Sequence, residues 1–178
     1  MIKSGSDSLA AEVAIEFICV GGTIDKVYFD ASSKYEVGSP AVKALLKELP
    51  IAPRATITSL MAKDSLDMTD ADRQLIADAV AASAFSKVVV THGTDTMTQT
   101  AEAIQARLTE QDSNKVVVLT GALAPAIFKR SDAEFNLGTA IAATQCAQPG
   151  VYIAMNGQVF TAGRVRKDLN LNRFVVVD

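Results

Sequence analysis

Tryptophan is absent from this chain, histidine occurs once, and cysteine occurs only twice among 178 residues. A single histidine, His92, excludes any site built on two imidazoles, and no second residue specifically invites a Ser–His–Asp triad. Cys19 and Cys146 lie in an apolar run and a helical pattern, so they form neither a zinc-ligand spacing nor a disulfide framework, and a reducing cytoplasm is the expected compartment. No apolar run approaches the roughly 20 residues of a membrane span. The opening "MIKSGSDSLAAE" lacks the apolar region of a signal peptide and reads as a flexible tail over residues 1–12. The net charge of −3 gives no basic footprint for nucleic acid or an anionic membrane. With hydrophobic residues at 49% and charged residues at 21%, what remains is an ordinary globular chain.

Apolar runs alternate with helical patterns, which predicts α/β architecture: three layers, α/β/α, around a mostly parallel, Rossmann-like sheet, with a C-terminal β-hairpin. Strands are expected at "VAIEFICV", "ATITSLM", "KVVVTH" and "KVVVLTG". Between the first two lies a long polar loop over residues 24–38, mobile enough to act as a lid. Ser39 followed by Pro40 predicts a helix start, with Ser39 as N-cap. Thr69 with Asp72, and Ser131 with Glu134, have the spacing of capping boxes. The first opens a helix carrying Leu75, Ile76, Ala79 and Val80, and Ala101, Ile104 and Leu108 are spaced as the buried stripe of the next. Asn156-Gly157 between "GVYIAM" and "QVFTAG" predicts a type I′ hairpin turn. A run "FVVV" follows. There is no repeat, low-complexity linker or domain boundary, so a single domain over 1–178 is expected.

Three strands end alike, at Gly21-Gly22-Thr23, Gly93-Thr94-Asp95 and Thr120-Gly121-Ala122. In an open parallel sheet, ligands bind beyond the carboxyl ends of the strands, so these turns would converge if their strands are neighbours. Each is also explained as a tight turn or helix cap, and none is a dinucleotide fingerprint or a Walker loop. If a nucleophile is present, it is a threonine. Its hydroxyl needs a base, and a lysine such as Lys167 in "GRVRK" or a tyrosine of the 24–38 loop can supply one.

Together, "GGTID", "DSLDM", "THGTDTM", "VVVLTGALAP" with "SDAEFNL", and "GRVRK" resemble the L-asparaginase family in its N-terminal domain, in family order and over nearly the whole chain. The resemblance implies hydrolysis of asparagine to aspartate and ammonia, without metal or cofactor. It implies Thr23 as the nucleophile that forms an acyl-enzyme, and Thr94, Asp95 and Lys167 as a second catalytic group. Ser65 would meet the substrate α-carboxylate and Asp95 its α-ammonium, with Gly93 and Ala122 also lining the substrate. The family's tyrosine pattern nominates Tyr35 in "KYEVG", while Tyr28 stands nearer Thr23 in sequence, and both stay open. Family members assemble as homo-oligomers, which implies a dimer or tetramer.

Three departures accompany the resemblance. Leu66 stands where many members carry a polar residue that contacts substrate. The family's C-terminal domain is expected to be absent, and the lysine motif is one residue shorter than in some relatives. A compact one-domain form is expected. Rival readings are a glutaminase, the ammonia-generating domain of an amidotransferase, and, from another class, an inactive amino-acid-binding module.

Overall fold

The computed structural model describes residues 13–177. The tail expected over residues 1–12 lies outside them. The first strand, β1 (Ala14–Gly21), leads through a one-turn 3-10 helix (Thr23–Asp25) into a hairpin, β2 (Lys26–Phe29) and β3 (Lys34–Val37). Helix α1 (Val42–Glu48) and strand β4 (Arg54–Lys63) follow, then α2 (Asp70–Ala82), β5 (Lys87–Thr91), α3 (Met97–Thr109), β6 (Val116–Thr120) and α4 (Ala133–Cys146). The described chain closes with β7 (Gly150–Met155), β8 (Gln158–Thr161), β9 (Val165–Asp168) and β10 (Arg173–Val176).

Six strands form the main sheet in the order β4-β1-β5-β6-β7-β8. Every pairing is parallel except that of β7 with β8. The strands read as unbroken apolar runs because both faces of the sheet are covered. Ile18, Val88, Val90 and Leu119 face α2 and α3, where they meet Ile76, Val80 and Ile104. Phe17, Val89 and Val118 face the other way, among Leu45 of α1 and Leu137 and Ala140 of α4. The predicted three-layer, mostly parallel fold is the observed one. The hairpin turn is also observed, with Asn156 at φ 55° and Gly157 at φ 74°.

Several local expectations are corrected. The 24–38 loop is a two-stranded antiparallel ribbon, β2 paired with β3, in which Tyr28 faces Tyr35. Ser39 is not the N-cap of α1. That helix begins at Val42, and the Ala41 N–H is held by the Asp25 carboxylate at 2.8 Å, from 16 residues earlier. Ser131 and Glu134 form no capping box: α4 starts after Asp132, and the Ser131 hydroxyl donates to Ala124 O while accepting from Ala133 N. The Thr69–Asp72 capping box is present with both reciprocal bonds. Leu75 lies on the solvent side of α2, 51% exposed, while Ile76 and Val80 are buried as expected. The "FVVV" run, β10, stays outside the main sheet and pairs with β9. Phe174 anchors this ribbon in the core.

Candidate active site

The carboxyl ends of β1, β5 and β6 are adjacent in the sheet, so their turns meet. Gly22 adopts φ 92°, and a Cβ there would collide with the backbone N and Cα of Gly93. Only glycine combines that positive φ with so close an approach. The contact seats the turn before Thr23 on the turn before Thr94. On its other side Gly93 abuts Ser65: a Cβ at Gly93 would lie 2.5 Å from Ser65 Oγ. Ser65 follows β4, and its carbonyl accepts from the Thr96 hydroxyl at 2.7 Å. The β6 turn is tied in by His92 N–H, which donates to Thr120 O at 2.9 Å. Thr23, Ser65, Gly93, Thr94 and Ala122 thus belong to one cluster of loops at one edge of the sheet.

Lys167 comes from β9. Its Nζ donates to Thr94 Oγ1 at 2.8 Å and to Asp95 Oδ1 at 2.7 Å. The lysine side chain is 11% exposed and that of Asp95 35%, so the ion pair spans the boundary between protein and solvent. Thr94 is buried. A hydroxyl held this way by an ammonium ionises at lower cost, because the developing alkoxide is met by a charge-assisted bond. The shorter lysine motif still reaches the threonine, since β10 braces β9 through the pairing of Phe174 with Lys167.

Two polar atoms sharpen the picture. Ser65 Oγ is buried and has no hydrogen-bond partner among the described residues, as expected of a donor kept for a ligand. Among the described residues, the N–H groups of Thr23 and Thr94 donate to no backbone carbonyl outside regular structure, which suits them to an oxyanion. Thr23 itself is half-buried at the mouth. Neither hairpin tyrosine hydrogen-bonds to it among the described residues. Tyr28 and Tyr35 are each about half exposed and stack edge-on at 5.5 Å, and Tyr35 also packs on Phe128 at 5.7 Å. Leu66, beside Ser65, is 73% exposed.

His92 is structural. Its Nδ1 bonds to Gly93 O at 2.7 Å and its Nε2 to the Thr100 hydroxyl at 2.8 Å. With Nδ1 as the donor to a carbonyl, Nε2 accepts from Thr100, and the ring is neutral. Burial pushes its pKa down to about 4. Burial raises the Cys19 thiol to about 11, which disqualifies it as a nucleophile.

The sequence reading missed residues that hold the loops. Asp132 accepts from Leu123 N at 2.9 Å, Ala124 N at 3.1 Å and Asn136 Nδ2 at 2.8 Å. Asn136 also donates to Gly121 O at 3.0 Å. Together they fix the turn carrying Ala122. The signal lies inside "SDAEFNL", where the Ser–Glu spacing masks the aspartate and asparagine between and beyond. Asp25, the last residue of "GGTID", gives no local signal of its role; burial pushes its pKa up to about 6, opposed by the Ala41 bond.

A family model described as "Asparaginase, N-terminal" matches residues 14–174. The chain belongs to the asparaginase family. A glutaminase-asparaginase of Acinetobacter glutaminasificans is 29% identical over 175 residues, which cover 92% of this chain and 52% of that protein. An L-asparaginase of Thermococcus kodakarensis is 32% identical over 165 residues, covering 86% of this chain and 48% of that one. Among solved structures, L-asparaginase I of Vibrio cholerae superposes with a TM-score of 0.79 at 31% identity, over 93% of this chain and 52% of the other. The chain spans about half the length of the asparaginase-family relatives it matches. The matched half carries the Thr23, Thr94 and Lys167 segments, all within residues 14–174.

Proposed function

We propose that this chain hydrolyses L-asparagine to L-aspartate and ammonia through a threonine nucleophile. The observation that carries the reading is Lys167, whose ammonium is bonded at once to Thr94 and Asp95 in the loop cluster that also holds Thr23. A site built only to bind an amino acid has no need of a lysine on a buried threonine hydroxyl. Family membership agrees with this reading.

In the proposed sequence, Thr23 Oγ attacks the side-chain carboxamide carbon as its proton passes to a base, for which Tyr28 and Tyr35 are the nearest hairpin candidates. The N–H groups of Thr23 and Thr94 stabilise the oxyanion. The C–N bond then breaks, ammonia leaves carrying the transferred proton, and an ester to Thr23 remains. Water, oriented by the Thr94 hydroxyl that Lys167 holds, attacks that ester, its proton passes through the same base to Thr23 Oγ as the acyl C–O bond breaks, and aspartate is released. Ser65 receives the α-carboxylate, the free oxygen of Asp95 the α-ammonium, and Gly93 and Ala122 line the substrate. No step draws on a cofactor.

Purified protein is given asparagine, then glutamine, and ammonia is followed. Turnover of asparagine that disappears in Thr23→Ala supports the reading, and unchanged turnover in that variant removes the nucleophile. Glutamine stands as the second substrate because the Acinetobacter relative is named for both amides. Binding of aspartate without turnover of either amide would favour the binding module. The remaining elements of the proposal are a single domain, a homo-oligomer and a cytoplasmic location. Free Cys19 and Cys146 agree with the last, and among the described residues no helix is long and apolar enough to cross a membrane. A sedimenting species of only 18.8 kDa would refute the oligomer.

A further inference from the structure

We propose that Asp25 is a positioning residue for this reaction: it clamps the base of the β2–β3 hairpin, so that the hairpin tyrosines are held beside the Thr23 turn. The inference rests on the reading of Thr23 as nucleophile and a hairpin tyrosine as its proton relay.

The geometry is that of a hub. Asp25 ends the turn that starts at Thr23, and Lys26 immediately begins β2. Its N–H donates to Gly22 O at 3.1 Å, fastening it to the glycine that packs on Gly93. Its carbonyl accepts from Gly38 N at 2.8 Å, just after β3. Its carboxylate accepts from Ala41 N, also at 2.8 Å, where α1 begins. One residue therefore joins the nucleophile's turn, the exit of the hairpin and the next helix.

The hairpin's other ties are the Lys26–Asp64 ion pair and the packing of Tyr35 on Phe128. A cleft of about 610 Å³ separates its base from α1, bordered by Asp25, Lys26, Pro40, Lys43 and Ile127. Across this joint the Asp25 carboxylate makes the side-chain hydrogen bond, to Ala41 N, while the Gly38 N bond to Asp25 O extends the β2–β3 ladder by one rung, so the same residue sets the hairpin's direction from both sides. Asp25 is 2% exposed and has no ion-pair partner among the described residues, because the neighbouring Lys26 is engaged with Asp64 at 2.6 Å. A buried carboxylate without a cation opposes folding. A residue that served only to start α1 would stand next to it in sequence, as Ser39 does, at no such cost. The placement of this carboxylate two residues after Thr23 is explained by what it joins.

Three variants test the clamp. Asp25→Ala removes the acceptor. Ala41→Pro removes the donor, at a residue whose φ of −63° already suits proline and whose own carbonyl bond from Leu45 N is kept. Asp25→Asn keeps an oxygen that can accept from Ala41 N. Asp25→Ala and Ala41→Pro are expected to lower kcat by roughly 10- to 100-fold. KM should stay within about threefold, because Ser65 and Asp95 lie off the hairpin, and Asp25→Asn should keep kcat within about threefold of the unaltered protein. Amide hydrogen exchange over residues 26–41 should quicken in the first two variants, with α3 and β6 unchanged. Full kcat in both Asp25→Ala and Ala41→Pro, or an Asp25→Asn as impaired as Asp25→Ala, overturns the clamp. If the unaltered protein released no ammonia, the proposed function would fail, and the exchange measurement alone would decide the clamp: unchanged exchange over 26–41 would refute it.

Discussion

Replacing Lys167 with methionine removes a charge and keeps the apolar stem, and the structure separates what this does to stability from what it does to chemistry. On the stability side, the buried Thr94 hydroxyl loses its lysine bond, at a cost of about 1–3 kcal/mol. Asp95, whose side chain is 35% exposed, is re-solvated, so its lost ion pair costs less than about 1 kcal/mol. For a chain of 178 residues, each kcal/mol moves the melting temperature by about 2–4 °C. The variant should therefore remain folded at 25 °C, melting up to about 15 °C lower. On the chemical side, losing the ammonium that steadies charge on the Thr94 oxygen should slow turnover by roughly 10²- to 10⁴-fold, or about 3–5 kcal/mol of barrier. Ammonia release at 25 °C, where both proteins are folded, measures the second effect free of the first. Lys167→Arg should fail as well, because a planar, longer guanidinium cannot stand as a point donor to Thr94 Oγ1 and Asp95 Oδ1 at once. Thr94→Ala should add little once Lys167 is gone, as expected of groups that act as a unit. A Lys167→Met protein with kcat/KM within about threefold of the unaltered one would refute the assignment.

Further outcomes follow from other bonds. Asp95→Ala should raise KM and lower kcat together in the ammonia assay, whereas a change in kcat with KM intact would contradict its contact with the substrate ammonium. Asp132→Ala strips two loop amides of their acceptor and should cost about 1–3 kcal/mol in a denaturant titration followed by circular dichroism; a loss below about 0.5 kcal/mol would contradict its role in holding the Ala122 turn. His92 and Asp25 have opposite effects on stability against pH. With His92 at about 4 in the folded state and 6.5 unfolded, stability falls as pH drops from 6.5 to 4, by about 3 kcal/mol in all. With Asp25 raised from 3.8 to about 6, stability falls as pH rises through that window, by about 3 kcal/mol, so the two nearly cancel. Asp25→Asn removes the second effect, and its stability relative to the unaltered protein should climb between pH 4 and 6; a flat difference would show that the carboxyl is not buried as described.

What was legible in the sequence was whatever is decided locally or by burial on both faces. The valine runs of β5 and β6 could hardly be anything but central parallel strands, and Asn156-Gly157 specifies its turn by φ alone. What was not legible depends on partners distant in sequence. The hairpin strands are four residues long and carry lysines beside tyrosines, and their turn places Ser33 at φ 52° without the usual glycine or asparagine. A Ser–Glu spacing is common enough to mislead when the neighbouring aspartate is drawn to a loop eight or nine residues away. The site was legible in parts. Thr94 and Asp95 stand at the end of a plain strand, but the ribbon that brings Lys167 to them has no period-2 pattern of its own. Only the family's motif order linked them.

The ribbon of β9 and β10 also decides whether the molecule can work. Thr23, Ser65 and Thr94 all lie upstream of the lysine that reaches over them, and Lys167 is bonded to a threonine 73 positions earlier. The ribbon stands outside the main sheet, so the pairing of β1, β5 and β6 does not by itself bring an ammonium to the reactive edge. Phe174, buried in the core, is what moors the ribbon that carries the charge, so one packing contact far from the chemistry stands surety for it.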